Sequence, residues 1–233
     1  YYNLFLIYFN LMIQSSQYME PIQIAHRGDS NLYKDNTKES FLSAVKNNFD
    51  MIELDIQLTK DNKIIIYHDI YLNKTLIKDL TYEKIYNIDN TLLLFEDLFT
   101  IIDISKIKIY IDIKGSIDII PYLHTILQKQ TVDNIYIGCF NMLLLNELHK
   151  RNNNYKLGLI TSNLFEEQDL LMFIKRYHLT FFCYCWEELN NNIINFLHNH
   201  NILVYTYTCT DNKIYSLIKK FNVDGIVTNY KLL

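Results

Sequence analysis

The sequence predicts an α/β fold, a single (β/α)8 TIM barrel with an extra hairpin strand after the second barrel strand. Three observations carry this. Short runs rich in β-branched residues alternate with stretches of helical period almost to the end of the chain, as in a parallel sheet covered by helices. The 233 residues, 49% apolar, are enough to fill one such core. No internal repeat, low-complexity linker or Pro/Gly-rich hinge marks the start of a second domain.

In order, the candidate strands are Ile22–Ala25, Met51–Ile56, Ile64–His68, Ile107–Ile113, Ile135–Phe140, Lys156–Ile160, Thr180–Cys185, Ile202–Tyr207 and Gly225–Thr228. Only a few residues around Lys60, Asp61 and Asn62 separate the second from the third, whereas a parallel crossover needs about a dozen. Ile64–His68 therefore folds back as a hairpin, and eight strands remain for the barrel. Between them, Asn36 with Glu39 three residues on reads as a capping box opening a helix whose apolar stripe is Phe41, Leu42, Val45 and Phe49. Leu164–Tyr177 carries Glu166, Glu167 and Asp169 in its first turns and Lys175 and Arg176 in its last, as the helix dipole favours. Asp211 begins a further helix with Ile214, Leu217, Ile218 and Phe221 on one face.

A net charge of -4 with 21% charged residues leaves no broad basic face for a nucleic-acid backbone, so nucleic acid is not expected as a partner, and no protein partner is indicated. Cys139, Cys183, Cys185 and Cys209 fall inside strand-like runs and read as reduced core thiols. Residues 1–18 form an N-terminal extension ahead of a barrel over 19–233. Tyr1–Ile13 is apolar but shorter than the about 20 residues that span a bilayer, and it lacks a basic flank and a small-residue cleavage site. A cytoplasmic location follows as the expectation. The sequence leaves three accounts of this stretch open: a segment packing on or beside the barrel, residues upstream of a start at Met12 or Met19, or the remnant of a signal.

Reacting groups in such a barrel gather at the C-terminal ends of the strands. The first strand ends in His26, Arg27 and Gly28, the second carries Glu53 and Asp55, the hairpin ends in His68 and Asp69, and the next barrel strand ends in Asp112 and Lys114. Glu53 and Asp55 are two apart, so both face one side of the strand, and only the lumen avoids burying them under helices. With Asp112 they offer three hard oxygen ligands, whose crowding a divalent cation, Mg²⁺ or Ca²⁺, would neutralise. An imidazole ordinarily titrates near neutrality, so His26 and His68 are expected to form an acid/base pair that can give a proton to one oxygen while taking one from another, as phosphodiester cleavage requires. Arg27 and Lys114 supply positive charge for phosphate oxygens. Gly28 either lets the backbone approach a ligand or serves only the turn. His124, His149, His178, His198 and His200 read as solvated or capping residues, and Cys183 with Cys185 as core rather than a zinc pair.

These residues, in this order, resemble the glycerophosphodiester phosphodiesterase family over nearly everything from Pro21 onward. Ile24–Gly28 is similar to its opening motif, Met51–Asp69 to its metal and second-histidine block, and Asp112–Lys114 to its next strand end. Asp35, Asn36 and Thr37 stand where the family has Glu, Asn, Thr. Later, Cys139 and Phe140 resemble a Ser, Phe pair and Tyr207 and Thr208 a Trp, Thr pair. The resemblance implies hydrolysis of small-molecule glycerophosphodiesters to glycerol 3-phosphate and an alcohol, with or without a cyclic phosphate on the way. It assigns supporting or pocket roles to Gly28, Asp35, Asn36, Asp69, Phe140 and Tyr207. The short stretch between His68 and Asp112 implies an open pocket. Asp35 and Asp112 in place of Glu, Tyr207 in place of Trp, Lys74 in place of Arg and Asn229 in place of Asp depart from the pattern. Two other readings stay open at this point: a lysophospholipid substrate, with Phe140, Trp186 and Tyr207 lining an apolar groove, and a catalytically silent phosphate-binding barrel.

Overall fold

Residues 20–232 are described by a computed structural model; the expectations for residues 1–18 lie outside them. The strands are β1 (Ile22–Ala25), β2 (Met51–Leu58), β3 (Ile64–Ile66), β4 (Tyr71–Leu72), β5 (Thr75–Leu76), β6 (Lys108–Ile113), β7 (Ile135–Cys139), β8 (Lys156–Thr161), β9 (Leu179–Cys185), β10 (Leu203–Cys209) and β11 (Gly225–Thr228). The helices are α1 (Lys38–Lys46), α2 (Tyr82–Ile88), α3 (Leu98–Ile101), α4 (Ile120–Leu127), α5 (Met142–Arg151), α6 (Glu167–Tyr177), α7 (Asn191–Asn199) and α8 (Asn212–Ile218). Sheet order runs β1-β11-β10-β9-β8-β7-β6-β2, all parallel, and β1 pairs with β2 to close the ring of eight. As the short link requires, β3 lies antiparallel on the far end of β2, with Ile56 opposite Ile66 and Leu58 opposite Ile64.

Alternation along the strands sorts the core into two apolar layers. Outward residues such as Ile52, Leu54, Ile109, Ile111 and Leu157 pack under the helices with Phe41, Leu123, Leu145 and Leu197. Inward residues Ile24, Met51, Tyr110, Tyr136, Ile160, Phe181, Cys183, Tyr205 and Val227 fill the lumen. Here the aromatic rings need neighbouring glycines. A Cβ on Gly138 would lie 2.6 Å from the Tyr110 ring, and one on Gly158 would lie 2.2 Å from that of Phe181. Tyr110 meets Phe181 edge to face at 5.4 Å, and Phe181 lies 5.1 Å from Tyr205. Each of these buried rings contributes roughly 1.5–3 kcal/mol, and together they form a dry floor that confines any ligand to the C-terminal mouth.

Three sequence-based details are corrected. The helix-opening pair is Thr37 with Ser40, not Asn36 with Glu39: Thr37 is extended at φ -114°, as an N-cap must be, whereas Asn36 sits at φ 57°. Leu42 and Val45 are exposed, and the buried face of α1 is Ser40, Phe41, Ser43 and Ala44. In α8, Leu217 is likewise exposed while Ile218 is buried. The four cysteines are free, three of them buried. Among the described residues no helix is long and apolar enough to cross a membrane.

Candidate active site

The mouth of the barrel holds a pocket of roughly 220 Å³ lined by His26, Arg27, Glu53, Asp55, His68, Asp112, Lys114, Phe140 and Tyr207, together with Tyr110, Ile160, Cys183, Thr208 and Val227. Register explains the convergence. Asp55 on β2 stands opposite Asp112 on β6, and both point inward as the alternation demands. Ligand oxygens of Glu53, Asp55 and Asp112 lie within 4.8 Å of one another, and all three residues are buried.

Three acids so placed oppose their own ionisation. Burial, then the Asp55 and Asp112 charges, raises the Glu53 pKa well above the ordinary carboxyl range. Burial also lifts Asp112 to about 6, against the pull of Lys114 and with the push of Asp55. Two basic side chains answer part of the charge. Lys114 Nζ lies 2.6 Å from Asp112 Oδ2 and 3.2 Å from Asp55 Oδ1. Arg27 donates its backbone N–H to Glu53 Oε2 at 2.9 Å, and its side chain lies 3.1 Å from both Asp55 and Asp35. Arg27 reaches this position in a left-handed turn, φ 57°, an arrangement costly for a residue with a Cβ. Asp112 Oδ1 is buried with no hydrogen-bond partner. An orphan carboxylate oxygen beside two more acids fits a hard divalent cation, so the residues present suit that group.

Asn36, displaced from the capping role, bonds through Nδ2 to Asp55 Oδ2 at 2.9 Å and orients that carboxylate. Gly28 is explained by packing in the turn: at φ 80°, a Cβ there would lie 2.4 Å from Ser40 Oγ and 2.7 Å from the Ser40 backbone. Gly28 is not among the residues that line the pocket. Asp35 also stays outside and acts through Arg27.

Each histidine is held through Nδ1. His26 Nδ1 lies 2.6 Å from Asn229 Oδ1 and His68 Nδ1 lies 2.8 Å from Asp69 Oδ1. Both partners face the ring with an acceptor oxygen, so in this arrangement Nδ1 carries the hydrogen. Burial, followed by the Arg27 charge, lowers His26 to about 4, with the Asn229 bond opposing. Phe140 and Tyr207 meet edge to face at 6.2 Å, and Lys114 Nζ is 5.6 Å from the Phe140 ring centre. Trp186 packs on the outer core instead of lining the pocket. The other five histidines stay away from it; His124, for example, bonds Tyr155 and His198 bonds Asp224.

In the sequence Asn229 stands out only as a departure, Cys183 reads as a core thiol, and Tyr110 is not singled out. Tyr110 precedes Asp112 by two, so strand parity alone could have placed it. No local signal could have assigned Asn229 to His26, because 203 residues separate them.

The model of the glycerophosphoryl diester phosphodiesterase family matches residues 26–232. A glycerophosphodiester phosphodiesterase of Bacillus altitudinis is 27% identical, covering 88% of this chain and 93% of its own. The glycerophosphodiester phosphodiesterase structure of Thermotoga maritima superposes with a TM-score of 0.79 at 24% identity, over 91% of this chain and 95% of that one. An Oleispira antarctica phosphodiesterase, solved with its product sn-glycerol-3-phosphate, gives 0.80 at 16% identity over 90% and 93%. With the match running from the first pocket histidine through the last barrel strand, the chain belongs to the glycerophosphoryl diester phosphodiesterase family.

Proposed function

We propose that this chain is a cation-dependent phosphodiesterase that hydrolyses glycerophosphodiesters to glycerol 3-phosphate and an alcohol. The observation that carries the reading is the joint placement of His26, His68 and the Glu53, Asp55, Asp112 cluster around one pocket. The product seen with the Oleispira antarctica protein supports the choice of product.

Glu53, Asp55 and Asp112 would hold the cation, and their all-oxygen donor set suits Mg²⁺ or Ca²⁺. When bound, the cation supplies Lewis-acid polarisation of the phosphoryl group and screens its charge. His26, unprotonated at neutral pH, takes at Nε2 the proton of the water whose oxygen attacks phosphorus, while Asn229 holds its ring. His68, held by Asp69, delivers a proton to the departing alcohol oxygen. Arg27 and Lys114, pinned by the carboxylates, offer preorganised positive charge to the non-bridging oxygens without reorganisation cost. Phe140 and Tyr207 give the ligand an apolar wall.

The test is hydrolysis of glycerophosphocholine and glycerophosphoethanolamine with Mg²⁺ or Ca²⁺, with glycerol 3-phosphate measured as product. Either His26→Ala or His68→Ala is expected to lower turnover by roughly 10² to 10⁴, and a chelator to silence the protein. Turnover of neither diester with either ion would overturn the reading.

A further inference from the structure

Gln57 follows Asp55 by two residues on β2, on the same inward side, and is 5% exposed. A buried primary amide carries two N–H donors that must find acceptors. Both go to the segment that bears the second histidine: Nε2 lies 2.8 Å from the carbonyl oxygen of Tyr67 and 2.8 Å from that of Asp69. These two carbonyls flank His68.

That segment has little else to hold it. The β3 ladder ends at Ile66, and beyond it the Tyr67 N–H still reaches the Asp55 carbonyl at 2.9 Å. The His68 side chain, 37% exposed, rests on Asp69, itself 69% exposed, so this hydrogen bond lies in solvent and holds weakly. A backbone stretch between two sheet-like anchors would rotate freely about His68 without a fixed point on each side. The Gln57 amide adds a hydrogen bond on each side of the histidine, beside that of the Tyr67 N–H, from a strand that also carries Glu53 and Asp55. The distance from His68 to the acidic cluster is thereby set by one rigid strand.

We propose that Gln57 is a positioning residue for His68: its amide clamps the backbone on both sides of the histidine and so fixes where the imidazole meets the substrate. This rests on the reading that His68 exchanges a proton with the substrate. It assigns Gln57 no contact with substrate.

The test is a double-mutant cycle on the full chain with Mg²⁺ and glycerophosphocholine, using Gln57→Met, His68→Ala and the double variant. Gln57→Met is expected to lower kcat on the order of 10- to 100-fold with KM nearly unchanged, as a misplaced catalytic group does. In the His68→Ala background the same substitution is expected to cost less than about twofold, because the group it positions is gone. Gln57→Asn keeps a buried amide one methylene short of the two carbonyls, and it is expected to give the same pattern should the methionine variant fail to fold. Equal losses in both backgrounds, a change in KM alone, or unchanged kcat in a folded variant would overturn the proposal. If His68→Ala keeps full turnover, the role of His68 itself falls, and the clamp falls with it.

Discussion

His26 Nδ1 lies 2.6 Å from Asn229 Oδ1, tying the end of the first barrel strand to the end of the last. The bond holds the ring but adds no charge, and burial leaves His26 at about 4. A base of this kind is competent over the whole neutral range, and the acidic limb of kcat/KM at saturating cation should come as pH drops through about 4. Asn229→Asp places a negative charge against the ring and favours the imidazolium, so the acidic limb is expected to move to higher pH. The pH–rate profiles of the two proteins check this; coincident profiles would remove His26 from the role of base.

Cation binding should release protons. Burial raises Glu53 well above the usual carboxyl range and Asp112 to about 6, so near pH 6 the cation-free cluster is partly protonated, and a ligating carboxylate must give that proton up. Titration calorimetry with Mn²⁺ in two buffers of different ionisation enthalpy is expected to give different apparent heats, and affinity is expected to weaken as pH falls through about 6. Heats independent of buffer would contradict the protonated cluster.

Asn36 orients Asp55 from a left-handed backbone position, so the two contributions separate. Asn36→Gly keeps the backbone at ease and removes only the amide. It is expected to weaken Mn²⁺ binding by roughly 10- to 100-fold, the usual effect of losing a partner of a metal-holding side chain, with the fold retained. Unchanged affinity would mean that Asp55 needs no such partner.

Gly158→Ala tests the aromatic floor. The added methyl would lie 2.2 Å from the Phe181 ring, which is fully buried and cannot yield without displacing Tyr110 and Tyr205. The expected loss is about 1–3 kcal/mol of unfolding free energy, read from denaturant unfolding. An unchanged midpoint would show that the lumen is looser than its contacts imply.

What the sequence determined by itself was direction. Two-residue alternation decides which face of a strand each side chain takes, so Glu53 and Asp55 could be aimed into the lumen, and the short link at Lys60–Asn62 could require a hairpin, before any coordinates. These are consequences of local backbone geometry, and they held. What only the tertiary structure decided was partnership. Asn36 looked like a helix cap and instead bonds Asp55; Gly28 leaves room for Ser40 in the turn; and Asn229 meets His26 only because the eighth strand of the ring lies beside the first. The reason is physical: a strand's period is set by its own covalent geometry, whereas a contact across the closed ring depends on the pitch and register of every strand between.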